Sequence, residues 1–124
     1  MSASSIGFGQ IMQILEIHIT IAELKSIAEN GFGEMVKAVV DVDLGIVAID
    51  AEMHSDLEAY CLESGSKQAS LWGINYYPEL QGDDFIEFDS MINIRPGVGN
   101  LSRGVDDAAL RKKIVDITNQ WIKR

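Results

Sequence analysis

Along this 124-residue chain the spacing of apolar residues switches between a period of two and a period near 3.6, and each switch marks an element. Ile11 to Ile19 is dense in β-branched residues and predicts a strand, with Leu15, Ile17 and Ile19 on one parity and Ile14, Glu16 and His18 on the other. His18, in mid-strand, is expected in or near the core. Thr20 followed by Glu23 is a capping-box pattern, and Ile21, Leu24, Ile27 and Ala28 then repeat at helical spacing until Asn30-Gly31. Val36 to Asp43 alternates, and Leu44-Gly45 turns it into Ile46 to Ala51, which reads as a hairpin. Ser55 with Glu58 predicts a second capped helix, carrying Leu57, Tyr60 and Cys61 on one face and ending at Ser64-Gly65. A strand over Trp72 to Tyr77 stops at Pro78, and Gly82-Asp83-Asp84 turns the chain into a strand opening at Phe85. Leu110, Ile114, Ile117 and Trp121 define a final amphipathic helix starting near Asp106.

The order is therefore β-α-β-β-α-β-β-α. Short hairpin connections in place of long crossovers point to a single α+β domain over residues 11–124, with a mainly antiparallel sheet and helices on one face. Residues 1–10 are small, polar and glycine-containing, and read as a flexible tail. With 47% hydrophobic residues, a chain of this length buries roughly two thirds of its unfolded surface around one core.

The net charge of -9, from 19 acids against 10 bases, repels polyanions and argues against binding to nucleic acid or to an anionic membrane. Cys61 is the only cysteine, so one chain forms no internal disulfide and no thiolate metal cluster, which suits a reducing cytoplasm. The N-terminal segment lacks a basic region, and Gln13, Glu16 and His18 interrupt its apolar stretch, so it reads as neither signal peptide nor membrane span.

Candidate chemistry gathers between Phe85 and Arg103. As a strand, Phe85 to Arg95 puts Ile86, Phe88, Ser90, Ile92 and Ile94 on a core face and Glu87, Asp89, Met91, Asn93 and Arg95 on the other. Polar groups about 6 to 7 Å apart along that face either orient a polar ligand or form a solvated, cross-paired surface. The glycine-rich loop from Arg95 to Gly104 adds Asn100 and Arg103 ahead of a helix. It either binds an anion or staples itself to the sheet through its arginines, and its spacing matches neither a Walker loop nor a dinucleotide fingerprint. Lys67 and Asn75, in the segment from Gly65 to Asn75, are further pocket candidates; Trp72 reads as a core residue or a pocket wall.

Glu52, His54 and Glu58 form an E-x-H-x-x-x-E cluster whose imidazole and carboxylates suit a divalent metal or acid/base work, or else a plain surface histidine; the surface reading is preferred, and no metal site or cofactor is assigned. Cys61 and Ser90 both fall on apolar faces and make poor nucleophiles.

The paired stretches GSKQASLWGIN, at 65–75, and FDSMINIRPGVGNLSRG, at 88–104, resemble a prokaryotic family known as a domain of unknown function. The resemblance extends over about residues 20–122 and marks Glu52, His54, Gln68, Trp72, Asn75, Asp89, Ser90, Asn93, Arg95, Asn100 and Arg103, without implying an activity. Three functions stand. The first is a small soluble ligand-binding or regulatory domain, working as a homo-oligomer on a small anionic ligand held by Lys67, Asn75, Asn93, Arg95, Asn100 and Arg103. The second is a small acid/base or metal-assisted hydrolase using His54 and nearby carboxylates such as Glu52 and Asp89. The third is a protein-interaction module.

Overall fold

The computed structural model of the chain describes residues 11–124, so the tail expected over residues 1–10 lies outside the described residues. In chain order the elements are β1 (Gln13–Ile14), β2 (Ile19–Thr20), α1 (Ile21–Asn30), β3 (Val36–Asp41), β4 (Ile46–Ile49), α2 (His54–Glu63), β5 (Leu71–Tyr76), β6 (Ile86–Glu87), α3 (Ala108–Trp121) and β7 (Ile122–Lys123). Five strands form one antiparallel sheet in the order β1-β4-β3-β5-β6, and β2 with β7 forms a short parallel pair.

The β3–β4 hairpin sits at the centre, with Val40 opposite Val47 and Val39 opposite Ala48. Its reversal is held by Asp41, whose Oδ1 accepts from the N–H groups of Asp43 and Leu44 at 2.9 Å each. Gly45 completes the turn at φ +70°, where an L side chain is strained.

The α+β class and mainly antiparallel sheet expected from the pattern are the ones the chain adopts, and its helices divide two to one between the faces. α1 and α3 bury Leu24, Ala28, Ile114 and Ile117 against Ala38, Val40, Val47, Ile49 and Trp72. α2 packs Leu57 and Cys61 on the opposite face, against Val39, Ala48 and Leu71. The reason is legible in β3 itself, where Val39 is as fully buried as Ala38 and Val40, so both faces need a cover.

Local chemistry explains where the elements start and stop. Thr20 and Glu23 form the expected capping box, Thr20 Oγ1 accepting from Glu23 N at 3.1 Å and Glu23 Oε1 from Thr20 N at 3.0 Å. α2 departs from expectation, beginning at His54 with Met53 in the cap position and no side-chain cap. The imidazole, bonded to the sheet, takes the first helical position and leaves Ser55 exposed. α3 is capped by Asp107, whose Oδ1 accepts from Ala109 N at 2.9 Å.

Two expected strands are shortened. Ile11 to Ile19 splits because Glu16 and His18 stay in solvent; Leu15 N still donates to Val47 O at 2.9 Å, after which the chain crosses to set Ile19 opposite Ile122. His18 is thus exposed instead of lying near the core. The strand expected from Phe85 to Arg95 keeps its ladder only at Ile86–Glu87. Beyond it, Ser90 N donates to Arg103 O at 2.9 Å, and a 3-10 turn follows at Met91–Asn93. Strict alternation ends there: Asn93 is fully buried while Met91 is 64% exposed. No helix among the described residues is long and apolar enough to cross a membrane.

Candidate functional site

The outer edge of β5 organises the polar residues of the 88–104 segment. β6 pairs with it only at Asn75 and Tyr76, leaving the main chain of Leu71 to Gly73 to be satisfied otherwise. Asn93 completes the edge with its side chain: Oδ1 accepts from Gly73 N at 2.8 Å, and Nδ2 donates to Gly73 O and to Arg103 O at 2.9 Å each. Arg95 does the same for Leu71 O at 2.6 Å, while its guanidinium lies 4.9 Å from the centre of the Trp72 ring and 3.5 Å from the Glu58 carboxylate. Asn100 is the hub of the loop. Its Nδ2 donates to the carbonyls of Asn93 and Gly104 at 2.8 Å each, and its Oδ1 accepts from Asp106 N at 2.9 Å. The polar atoms of Asn93 and Asn100 are thus engaged by main chain, and Arg95 packs against α2. Lys67 stands exposed ahead of a 3-10 turn.

Gly73 permits this closeness, because a Cβ there would lie 2.5 Å from Ser90 Cβ and 3.1 Å from Ile92 Cγ1. Ser90 is buried against it as a turn cap, with Oγ accepting from Ile92 N at 3.3 Å. Cys61 is fully buried, and its thiol is pushed up to about 11 by burial, with the Asp41 and Glu58 carboxylates adding to the effect. Neither residue has a nucleophile's surroundings.

On the α2 face, strand register builds a different group. Lys37 of β3 lies opposite Asn75 of β5, which lies opposite Glu87 of β6, so three polar side chains form a row across three strands. The N-terminal end of α2 flanks the row on one side and residues 89–92 on the other. Between them is an open cleft of about 420 Å³ lined by Lys37, His54, Asn75, Tyr77, Glu87, Asp89 and Arg103, with Met35, Met53 and Met91 among its apolar walls. Its volume lies within the range of small-molecule sites. Two further hollows of about 530 and 540 Å³, beside Glu79 and beside Phe88, are of similar size, so size does not single out this cleft. Its buried chemistry does.

Asn75 is 4% exposed, and its Nδ2 donates to Glu87 Oε1 at 2.8 Å and, more weakly, to Asp89 O at 3.4 Å. Two acceptors on that side fix the amide orientation, so the opposite atom is Oδ1, which is buried without a hydrogen-bond partner. His54 stands beside it. Nε2 donates to Ile74 O at 2.8 Å, which fixes the tautomer and leaves Nδ1 as an acceptor. Burial lowers the imidazole pKa, with Lys37 working in the same direction; the Ile74 carbonyl, the Asn75 amide and Asp89 act more weakly the other way. His54 is accordingly neutral at pH 7. Tyr77 donates to Glu87 Oε1 at 3.1 Å. At the mouth, Arg103 Nε pairs with Asp89 Oδ1 at 2.6 Å, and that hydrogen bond holds the Asp89 carboxyl below its usual range.

Of the residues singled out in the sequence, the cleft brings together His54, Asn75, Glu87, Asp89, Ser90 and Arg103. Glu52 is exposed and lies apart, and Glu58 turns away to Arg95. Among the described residues no group of three or more His, Cys, Asp or Glu side chains is arranged to hold a metal ion. Sequence reasoning overlooked Lys37 and Tyr77. Lys37 carries a signal, being the one basic residue in a central strand that is apolar from Ala38 to Val40.

A family model described as "Protein of unknown function (DUF5674)" matches residues 13–121. No curated protein and no solved structure gives a match.

Proposed function

We propose, for a chain that belongs to the DUF5674 family of proteins of unknown function, that it is a small-molecule-binding domain whose ligand occupies the His54–Asn75 cleft. The observation that carries this reading is the buried, unpartnered Asn75 Oδ1. An orphaned buried acceptor costs about 1–3 kcal/mol, and it is relieved when a ligand brings an N–H or O–H to it. Lys37 gives the cleft a cationic group for an anionic part of that ligand, Arg103 at the mouth being paired with Asp89. A single buried thiol suits action in the reducing cytoplasm.

The test is an NMR screen of the nitrogen-labelled chain against mixtures of polar metabolites. Hits are expected to shift the Asn75 side-chain amide and the His54 backbone resonance together, and in Asn75→Leu the His54 resonance is expected to stop responding while the rest of the spectrum stays in place. A broad screen that moves neither resonance overturns the proposal.

Acid/base chemistry at the same place is the second reading, favoured by a neutral His54 whose Nδ1 is left as a base beside Asp89. An esterase and phosphatase panel comparing the wild type with His54→Gln tests it; equal rates for the two proteins reject it.

A further inference from the structure

We propose that the ligand of this cleft is a small zwitterion, a free amine-bearing carboxylic acid of the amino-acid or dipeptide class, with its ammonium toward Glu87 and its carboxylate toward Lys37. The inference rests on the cleft being the binding site and adds the chemistry that the site selects.

The floor of the cleft accepts hydrogen bonds. Asn75 Oδ1 is orphaned, His54 Nδ1 is an unprotonated acceptor, and the two donors on Asn75 Nδ2 and Tyr77 Oη are already spent on Glu87 Oε1. Glu87 itself meets no cation at ion-pair distance among the described residues, nor does Lys37 meet a carboxylate, its ammonium lying 5.3 Å from the centre of the Phe32 ring. Asp89 and Arg103 neutralise each other at the mouth and contribute little net field. One negative charge and one positive charge without an ion-pair partner therefore remain, at opposite ends of a single cross-strand row.

Strand spacing of about 4.8 Å puts the Lys37 and Glu87 backbones about 10 Å apart, with Asn75 midway. A simple anion entering this row meets the Glu87 and Asp89 carboxylates, and a simple cation meets Lys37. A molecule bearing both charges complements each end. The ammonium suits the Glu87 end because it supplies three donors and no acceptor, which matches a carboxylate without a cation. Met35, Met53 and Met91 line the cleft with unbranched, adaptable side chains, so the apolar portion of the ligand is free to vary.

Isothermal titration of the full chain with glycylglycine and γ-aminobutyrate, each compared with its N-acetylated and C-amidated form, tests the proposal. The free zwitterions are expected to bind, and blocking either end to weaken binding by about tenfold or more, the loss of one charge-assisted contact. Glu87→Gln is expected to remove the discrimination against the acetylated form, and Lys37→Met the discrimination against the amide. Both substitutions replace groups without an ion-pair partner and are expected to leave the circular dichroism spectrum and melting temperature near wild type. Blocked forms that bind as tightly as the free ones overturn the inference. If the metabolite screen finds only non-zwitterionic ligands at Asn75, the chemical class falls and the cleft reading stands. If neither set moves Asn75 or His54, both fall.

Discussion

Asn75, Asn93 and Asn100 are all buried, yet they differ in one countable respect. The side chains of Asn93 and Asn100 meet main-chain groups with both their oxygen and their nitrogen, whereas Asn75 leaves its oxygen unused. That difference predicts opposite responses to substitution. Asn93→Ala strands the Gly73 N–H and C=O and is expected to cost about 2–4 kcal/mol in urea unfolding. Asn75→Leu removes an orphan and is expected to change stability by less than about 1 kcal/mol. His54 adds a pH dependence with a fixed sign. Its folded pKa lies below the ordinary histidine value of 6.5, because burial disfavours the imidazolium, so the unfolded chain binds the extra proton. Stability is therefore full above about pH 6.5 and falls as pH drops below it toward the folded pKa. A titration of the His54 ring signals by NMR, with a midpoint below 6.5, checks the cause. At this scale the sequence displayed His54, Asn75, Asp89 and Arg103 as polar residues in a specific pattern. It could not display which of them keep spare hydrogen-bonding capacity, since that depends on partners far along the chain.

Elements with local causes were legible, and those with distant causes were not. The Thr20–Glu23 box, the Gly45 turn and the apolar stripe of α3 each depend on residues within a few positions, and each forms where the pattern put it. The strand from Phe85 failed because its fate is decided by Gly73, Ser90 and Asn93 meeting across β5. Gly73→Ala forces Ser90 off β5 and is expected to cost about 1–3 kcal/mol and to broaden the resonances of residues 88–104. Arg95→Ala removes the Trp72 stack and the Leu71 bond and leaves Glu58 half-buried without its cation. It is expected to lower the melting temperature by several degrees, whereas Arg103→Ala, an exposed change at the cleft mouth, is expected to leave it nearly unchanged. Equal thermal effects for the two variants would show that Arg95 is no staple.

For the whole molecule, the sheet is sandwiched: α1 and α3 close one side and α2 the other, with β7 drawing the C-terminal segment back to β2. Cys61 reports on the integrity of this arrangement because it is fully buried and its thiol is held protonated. A thiol reagent at neutral pH is expected to label it only through opening of the α2 layer, so the labelling rate should rise with urea in parallel with unfolding. Rapid labelling of the native chain would mean that α2 lifts independently.

The amide of Asn93 and the guanidinium of Arg95 occupy the flank of β5 that β6 leaves bare. An apolar central strand with a vacant flank is a template on which other chains add themselves, and here two side chains fill it without supplying a strand that could propagate. The same residues that shape the fold thus deny a second chain a bare strand edge to pair with. Asn93→Ala should accordingly do more than lower stability: in light scattering it should self-associate through β-rich contacts at concentrations where the wild type remains in solution.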